Sequence, residues 1–131
     1  MTGKRVLVVD DEIHIVHVVA IKLRNNGYEV ETANNGAEAF EYACRNKPDI
    51  IVTDFQMPTM TGMELVEKLR QNEDTKNIPI IMLTARSFAI PKEKQEQLNI
   101  SNCLSKPFSP RELLSNIEDI LYQKETIAET K

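Results

Sequence analysis

Five short apolar runs, each followed by a stretch of helical periodicity, constrain this chain more than any other feature. Arg5 to Val9, Tyr28 to Ala33, Ile50 to Asp54, Ile78 to Thr84 and Cys103 to Ser105 read as buried strands. From Ile13 to Asn26, Val16, Val19, Ala20 and Leu23 recur at helical spacing, and Asn25-Asn26-Gly27 supplies the stop. Asn34-Asn35-Gly36 opens a helix carrying Ala39, Phe40, Ala43 and Cys44, and Gly62 to Gln71 a third packing Met63, Leu65, Val66 and Leu69. Pro91 suits the first turn of a short helix to Leu98, with Asn99 in the left-handed position beyond it. Ser109-Pro110 is a cap and first-turn pair for a last helix lined by Leu113, Leu114, Ile117, Ile120 and Leu121, and the polar tail 123–131 is expected to fray.

Strand and helix alternating at this spacing call for a parallel sheet covered on both faces, with right-handed crossovers. The expected fold is α/β: a flavodoxin-like (βα)5 three-layer sandwich with strand order 2-1-3-4-5. A chain of 131 residues has room for one domain, here residues 1–122. Hydrophobic content of 41% and charged content of 27% are those of an ordinary globular protein, and the net charge of -4 argues against direct nucleic-acid binding. No apolar run reaches the roughly 18 residues of a membrane span. Cys44 and Cys103 stand in no metal-binding or redox pair and would lie towards opposite edges of the sheet, which suits free thiols in the cytoplasm.

The chemistry gathers at strand ends. In the expected order the first and third strands are neighbours, so Asp10, Asp11 and Asp54 converge in the crevice outside the carboxyl ends, where ligands bind in open α/β sheets. Carboxylates held together repel, and a divalent cation relieves the repulsion; oxygen ligands without His or Cys favour magnesium, manganese or calcium over zinc, and a site with few protein ligands suits magnesium, with manganese possible. The bland alternatives are a solvated acidic rim and, for Asp54 alone, a turn residue. Thr84 ends the fourth strand and Lys106 follows the fifth. Singly these are a strand-end residue and a solvated lysine; together with the acids they suit phosphoryl transfer to a carboxylate.

Val6-Leu7-Val8-Val9-Asp10-Asp11-Glu12, Asp54-Phe55-Gln56-Met57-Pro58, Gly62, Leu83-Thr84-Ala85 and Lys106-Pro107-Phe108 resemble, in order and spacing, the CheY-like receiver domain of two-component response regulators. The resemblance spans about Lys4 to Tyr122. It implies that Asp54 accepts the phosphoryl group, that Asp11 binds magnesium directly and Asp10 partly through water, and that the backbone carbonyl of Gln56 completes the protein's metal ligands. It further implies that Thr84, the Ala85 backbone and Lys106 hold phosphoryl oxygens and that the Lys106-Pro107 bond is cis. Gln56 and Arg86 lie where side chains overhang the phosphoryl group in this family and are expected to tune its hydrolysis. The implied phosphodonor is a sensor histidine kinase or a histidine phosphotransfer protein, and the implied output is binding of another protein through the face of the fourth helix, fifth strand and fifth helix, either in a stand-alone protein or in a receiver cut from a longer regulator.

Two positions depart from the family pattern. Cys103 stands where receivers commonly carry Tyr or Phe, so an altered output switch is expected. Asn99-Ile100 replaces a small Gly-Ala pair, and Asn tolerates the turn. His14 and His17, one helical turn apart, have no third ligand and read as exposed; Lys92, Glu93, Lys94 and Glu96 read as a solvated face. Phe88, Ala89 and Ile90 suit either core filling or docking. The competing functions are a haloacid-dehalogenase-like phosphohydrolase, which would be phosphorylated on Asp10, a flavin binder on the same fold, and a non-phosphorylated receiver-like adaptor.

Overall fold

A computed structural model describes residues 3–85 and 90–129, with side chains to Tyr122. The elements alternate as β1 (Arg5–Val9), α1 (Ile13–Arg24), β2 (Glu29–Ala33), α2 (Gly36–Asn46), β3 (Ile50–Asp54), α3 (Gly62–Gln71), β4 (Ile80–Thr84), α4 (Lys92–Gln97), β5 (Asn102–Ser105) and α5 (Pro110–Glu129). All pairings are parallel and the order is β2-β1-β3-β4-β5, as the alternation of elements predicts.

The period of two along each strand divides the core. Val6, Val8, Ile50, Val52, Ile81, Leu83 and Leu104 face α1 and α5, where Leu23, Leu113 and Ile117 are fully buried. Leu7, Val9, Ile51, Ile80 and Met82 face the other way, onto Ala39 and Ala43 of α2 and Leu65, Val66 and Leu69 of α3. β3 and β4 are buried along their whole length, as expected for central strands covered on both sides.

Side chains fix where helices begin. Thr61 and Glu64 form a reciprocal capping box at α3, Asn35 accepts from the Glu38 N–H at α2, and Ser109 Oγ accepts from the Glu112 N–H at 3.0 Å at α5. Asn99 adopts the expected left-handed conformation, with φ 55.

Several boundaries differ from the sequence expectation. β4 starts at Ile80 because Pro79, which has no N–H, contributes only its carbonyl, to Ile51 N. Pro91 caps α4 rather than opening its first turn, and β5 takes in Asn102. α5 continues through the polar residues to Glu129, past the point at which its apolar stripe ends. Ile90 is 3% exposed and belongs to the core, whereas Phe88 and Ala89 lie outside the described residues.

Candidate functional site

Adjacent strand ends assemble the site. Val9 pairs with Thr53, so Asp10 and Asp54 leave the sheet side by side, and Thr84 pairs with Ser105, which brings Lys106 to the same edge. The Lys106 N–H donates to the Thr84 carbonyl at 2.6 Å, and the Lys106-Pro107 peptide is cis. Gly62 lets the loop after β3 close under the acid: a Cβ there would stand 2.3 Å from the Asp54 carbonyl oxygen, inside any real contact.

Lys106 is the hub. Its Nζ lies 3.0 Å from Asp10 Oδ2, 2.9 Å from Glu12 Oε1 and 3.2 Å from Asp54 Oδ1. Asp10 is fully buried, and its second oxygen accepts the Glu12 N–H at 2.9 Å. Burial and the Asp10 carboxylate push the Asp54 carboxyl up to about 6, against the pull of Lys106. For Lys106 burial acts to lower the pKa, but hydrogen bonds to Glu12 and Asp10 and the charges of Asp10 and Asp54 outweigh it and raise the ammonium above its ordinary value.

The structure thus brings together Asp10, Asp54 and Lys106, with Thr84 fully buried at the adjoining strand end. Asp11 is exposed and outside the tight carboxylate cluster, though its charge still raises Asp54. Gln56 and Ala85 are exposed beside the site, while Arg86 lies outside the described residues. Cys103 is half-buried on the face of β5 that packs with Met82 and Ile100, and burial pushes its thiol up. His14 and His17 are exposed and belong to no cluster of possible metal ligands among the described residues. Sequence reasoning assigned no role to Glu12; its signal was the third acid of Asp10-Asp11-Glu12, at the N-cap of α1, where the chain turns back over the crevice.

Carboxylate oxygens of Asp10, Glu12 and Asp54 lie within 4.8 Å of one another. All are hard donors without nitrogen or sulfur, and Asp54 already experiences the electrostatic pressure that a cation would relieve, so the residues present fit magnesium or manganese. Beside the cluster a groove of about 560 Å³ opens between α1 and the turn after β5, lined by His14, Ile15, Val18, Ala85 and Phe108 among others.

An acid-lined crevice closed by a lysine, at the carboxyl edge of a doubly wound parallel sheet, defines the class: an α/β domain built to handle an anion beside a cation. The sequence matches the model of the response regulator receiver domain over residues 6–118, and the chain belongs to that family, a signalling domain of two-component systems. It is 39% identical over 121 residues to the phosphate regulon transcriptional regulatory protein PhoB of Pseudomonas aeruginosa, covering 92% of this chain and 53% of that protein. It is 40% identical over 126 residues to the alkaline phosphatase synthesis transcriptional regulatory protein PhoP of Bacillus subtilis, covering 96% and 52%. The chain therefore spans about half the length of these relatives. Among solved structures it resembles the chemotaxis response regulator CheY4 of Vibrio cholerae, with TM-score 0.84, 39% identity and coverage of 91% of this chain and 99% of that one. This membership decides against the haloacid-dehalogenase and flavin-binding readings. Among the described residues no helix is long and apolar enough to cross a membrane.

Proposed function

We propose that this domain is a phosphorylation-switched signalling module whose acceptor is Asp54. The observation that carries the reading is Lys106 Nζ 3.2 Å from Asp54 Oδ1, next to a cluster of carboxylates that suits a divalent cation. An Asp54 oxygen attacks the phosphorus of a phosphohistidine on a sensor kinase or histidine phosphotransfer protein; the P–N bond breaks, and its electron pair leaves with the imidazole nitrogen, which is protonated. Asp10 and Asp11, Asp54 itself and the Gln56 carbonyl would hold magnesium, Asp11 after its exposed side chain swings inward. When bound, the ion offsets charge on the acceptor and the phosphoryl oxygens. Lys106 and the Thr84 hydroxyl hold those oxygens in the product, with the Ala85 N–H as a further donor. Gln56 and Arg86 tune water's access. The domain is not an enzyme on other substrates; it promotes only its own phosphorylation and dephosphorylation.

The receiver unit is residues 1–122, working in the cytoplasm. Its output is the binding of another protein through α4, β5 and α5, with Cys103 altering how that face responds; in relatives named as transcriptional regulators the comparable segment covers about half the protein, so a longer regulator is one setting for it. Mapping the phosphorylated residue after reaction with acetyl phosphate and magnesium tests the acceptor: modification at Asp54 is expected, and modification at Asp10 instead would overturn it.

A further inference from the structure

Lys106 Nζ donates hydrogen bonds to Asp10 and Glu12 and forms an ion pair with Asp54. An ammonium has three N–H donors, and here three carboxylate oxygens stand at 2.9 to 3.2 Å, one each from Asp10, Glu12 and Asp54. A phosphoryl oxygen arriving at Lys106 therefore competes with these acids for the ammonium. Asp10 is held by its buried position and by the Glu12 N–H on its other oxygen. Asp54 is the reacting group. Glu12 is different: its side chain is 59% exposed, so water can replace the lysine once it lets go.

We propose that Glu12 is a positioning residue that latches Lys106 in the resting domain and competes with the incoming phosphoryl group for it. The inference rests on the proposed role of Lys106 in holding phosphoryl oxygens. An ion pair with one exposed partner is weak enough to yield, so the latch changes the affinity for the phosphodonor by about two- to fivefold without blocking it. It acts on donor binding, so its effect is read in KM more than in the maximal rate.

The test is autophosphorylation with acetyl phosphate and magnesium in wild type, Asp54→Asn, Glu12→Gln and Glu12→Asp, read as KM for the donor and maximal rate. Asp is one methylene shorter, so it keeps the charge but loses the 2.9 Å contact. A fall of about two- to fivefold in KM in both Glu12 variants, larger than any change in maximal rate, supports the latch. A fall in Glu12→Gln alone assigns the effect to long-range charge and overturns it, as does an unchanged or raised KM in both. Magnesium affinity, measured by titration on the same proteins, separates a ligand from a latch: a loss of tenfold or more in Glu12→Gln would overturn the proposal. Labelling that persists in Asp54→Asn defeats the acceptor reading itself, a failure visible independently of the Glu12 variants.

Discussion

Lys106 Nζ sits 3.2 Å from Asp54 Oδ1, and the pair is formed by the last residue of β3 and the first residue after β5, strands separated in the sheet by β4. The contact stands on the one edge where β1, β3, β4 and β5 all deliver a functional side chain. Removing the ammonium leaves Asp10 and Asp54 buried without their shared cation. Lys106→Ala is expected to lower phosphorylation by acetyl phosphate about a hundredfold, the usual cost of losing one preorganised donor to developing charge. Loss of less than about threefold would remove Lys106 from the chemistry.

The raised pKa of Asp54 sets a pH dependence. In the folded, metal-free domain the carboxyl keeps its proton to about pH 6, whereas its ordinary value is 3.8. Between those values the native state binds more protons than the unfolded chain, so stability falls as pH rises across this window and levels off above it. The full loss is about 3 kcal/mol. Asp54→Asn carries no ionisable group there and is expected to be more stable than wild type at pH 8 in a chelator, by up to that amount, with the advantage gone below pH 4. Denaturant melts at the two pH values check this. Magnesium selects the ionised carboxylate, so its affinity for wild type is expected to drop as pH falls below about 6.

Gly62 is expected to tolerate no side chain. The Cβ of Gly62→Ala would meet the Asp54 carbonyl oxygen at 2.3 Å and Met82 Sδ at 2.9 Å, and the first is backbone of the acceptor itself. A destabilisation of about 3 kcal/mol is expected, with slower phosphorylation in whatever remains folded. Thermal denaturation together with an initial-rate measurement reads both effects.

Arg70 holds the end of α4. Its guanidinium donates to the carbonyls of Leu98 at 2.7 Å, Lys76 at 2.9 Å, Ile78 at 2.8 Å and Asn99 at 3.1 Å, and burial lowers its pKa. A lysine cannot reproduce that planar fork. Arg70→Lys is expected to cost about 2 kcal/mol and to speed amide exchange at Ile100, whose N–H closes the α4 turn onto Gln95. Exchange at Ile100 equal to wild type would show the four contacts to be dispensable.

Cys103 raises the question of output. It lies in register with Met82 of β4, at the position where the resemblance to receivers leads one to expect a ring. Phosphorylation rates of Cys103→Tyr are expected to match wild type, because the thiol touches none of the site's charged groups, while the chemical shifts that a phosphoryl analogue induces in β4 and α4 are expected to differ between the two. Identical shift changes would show that the switch is indifferent to this position.

The fold was legible because the central strands are short apolar runs and the longer helices carry an apolar period; Ser109-Pro110 starts α5 where the sequence says it should. Asp10, Asp54 and Lys106 were legible once the strand order placed their strand ends on one edge. What was hidden depends on distance. Nothing in the composition of α3 tells that Arg70 reaches four carbonyls of two other segments, or that Gly62 lies under the Asp54 backbone. Glu12 was visible as a third acid, but only the turn into α1 shows that it, rather than exposed Asp11, meets Lys106. The end of α5 was missed because its helix continues beyond the apolar stripe that marks it.

The most direct measurement is the mass of wild type and Asp54→Asn after incubation with magnesium and acetyl phosphate. Wild type is expected to gain one phosphoryl group and Asp54→Asn none. Equal gain in the two proteins, or no gain in wild type, would contradict the assignment of Asp54 as the acceptor.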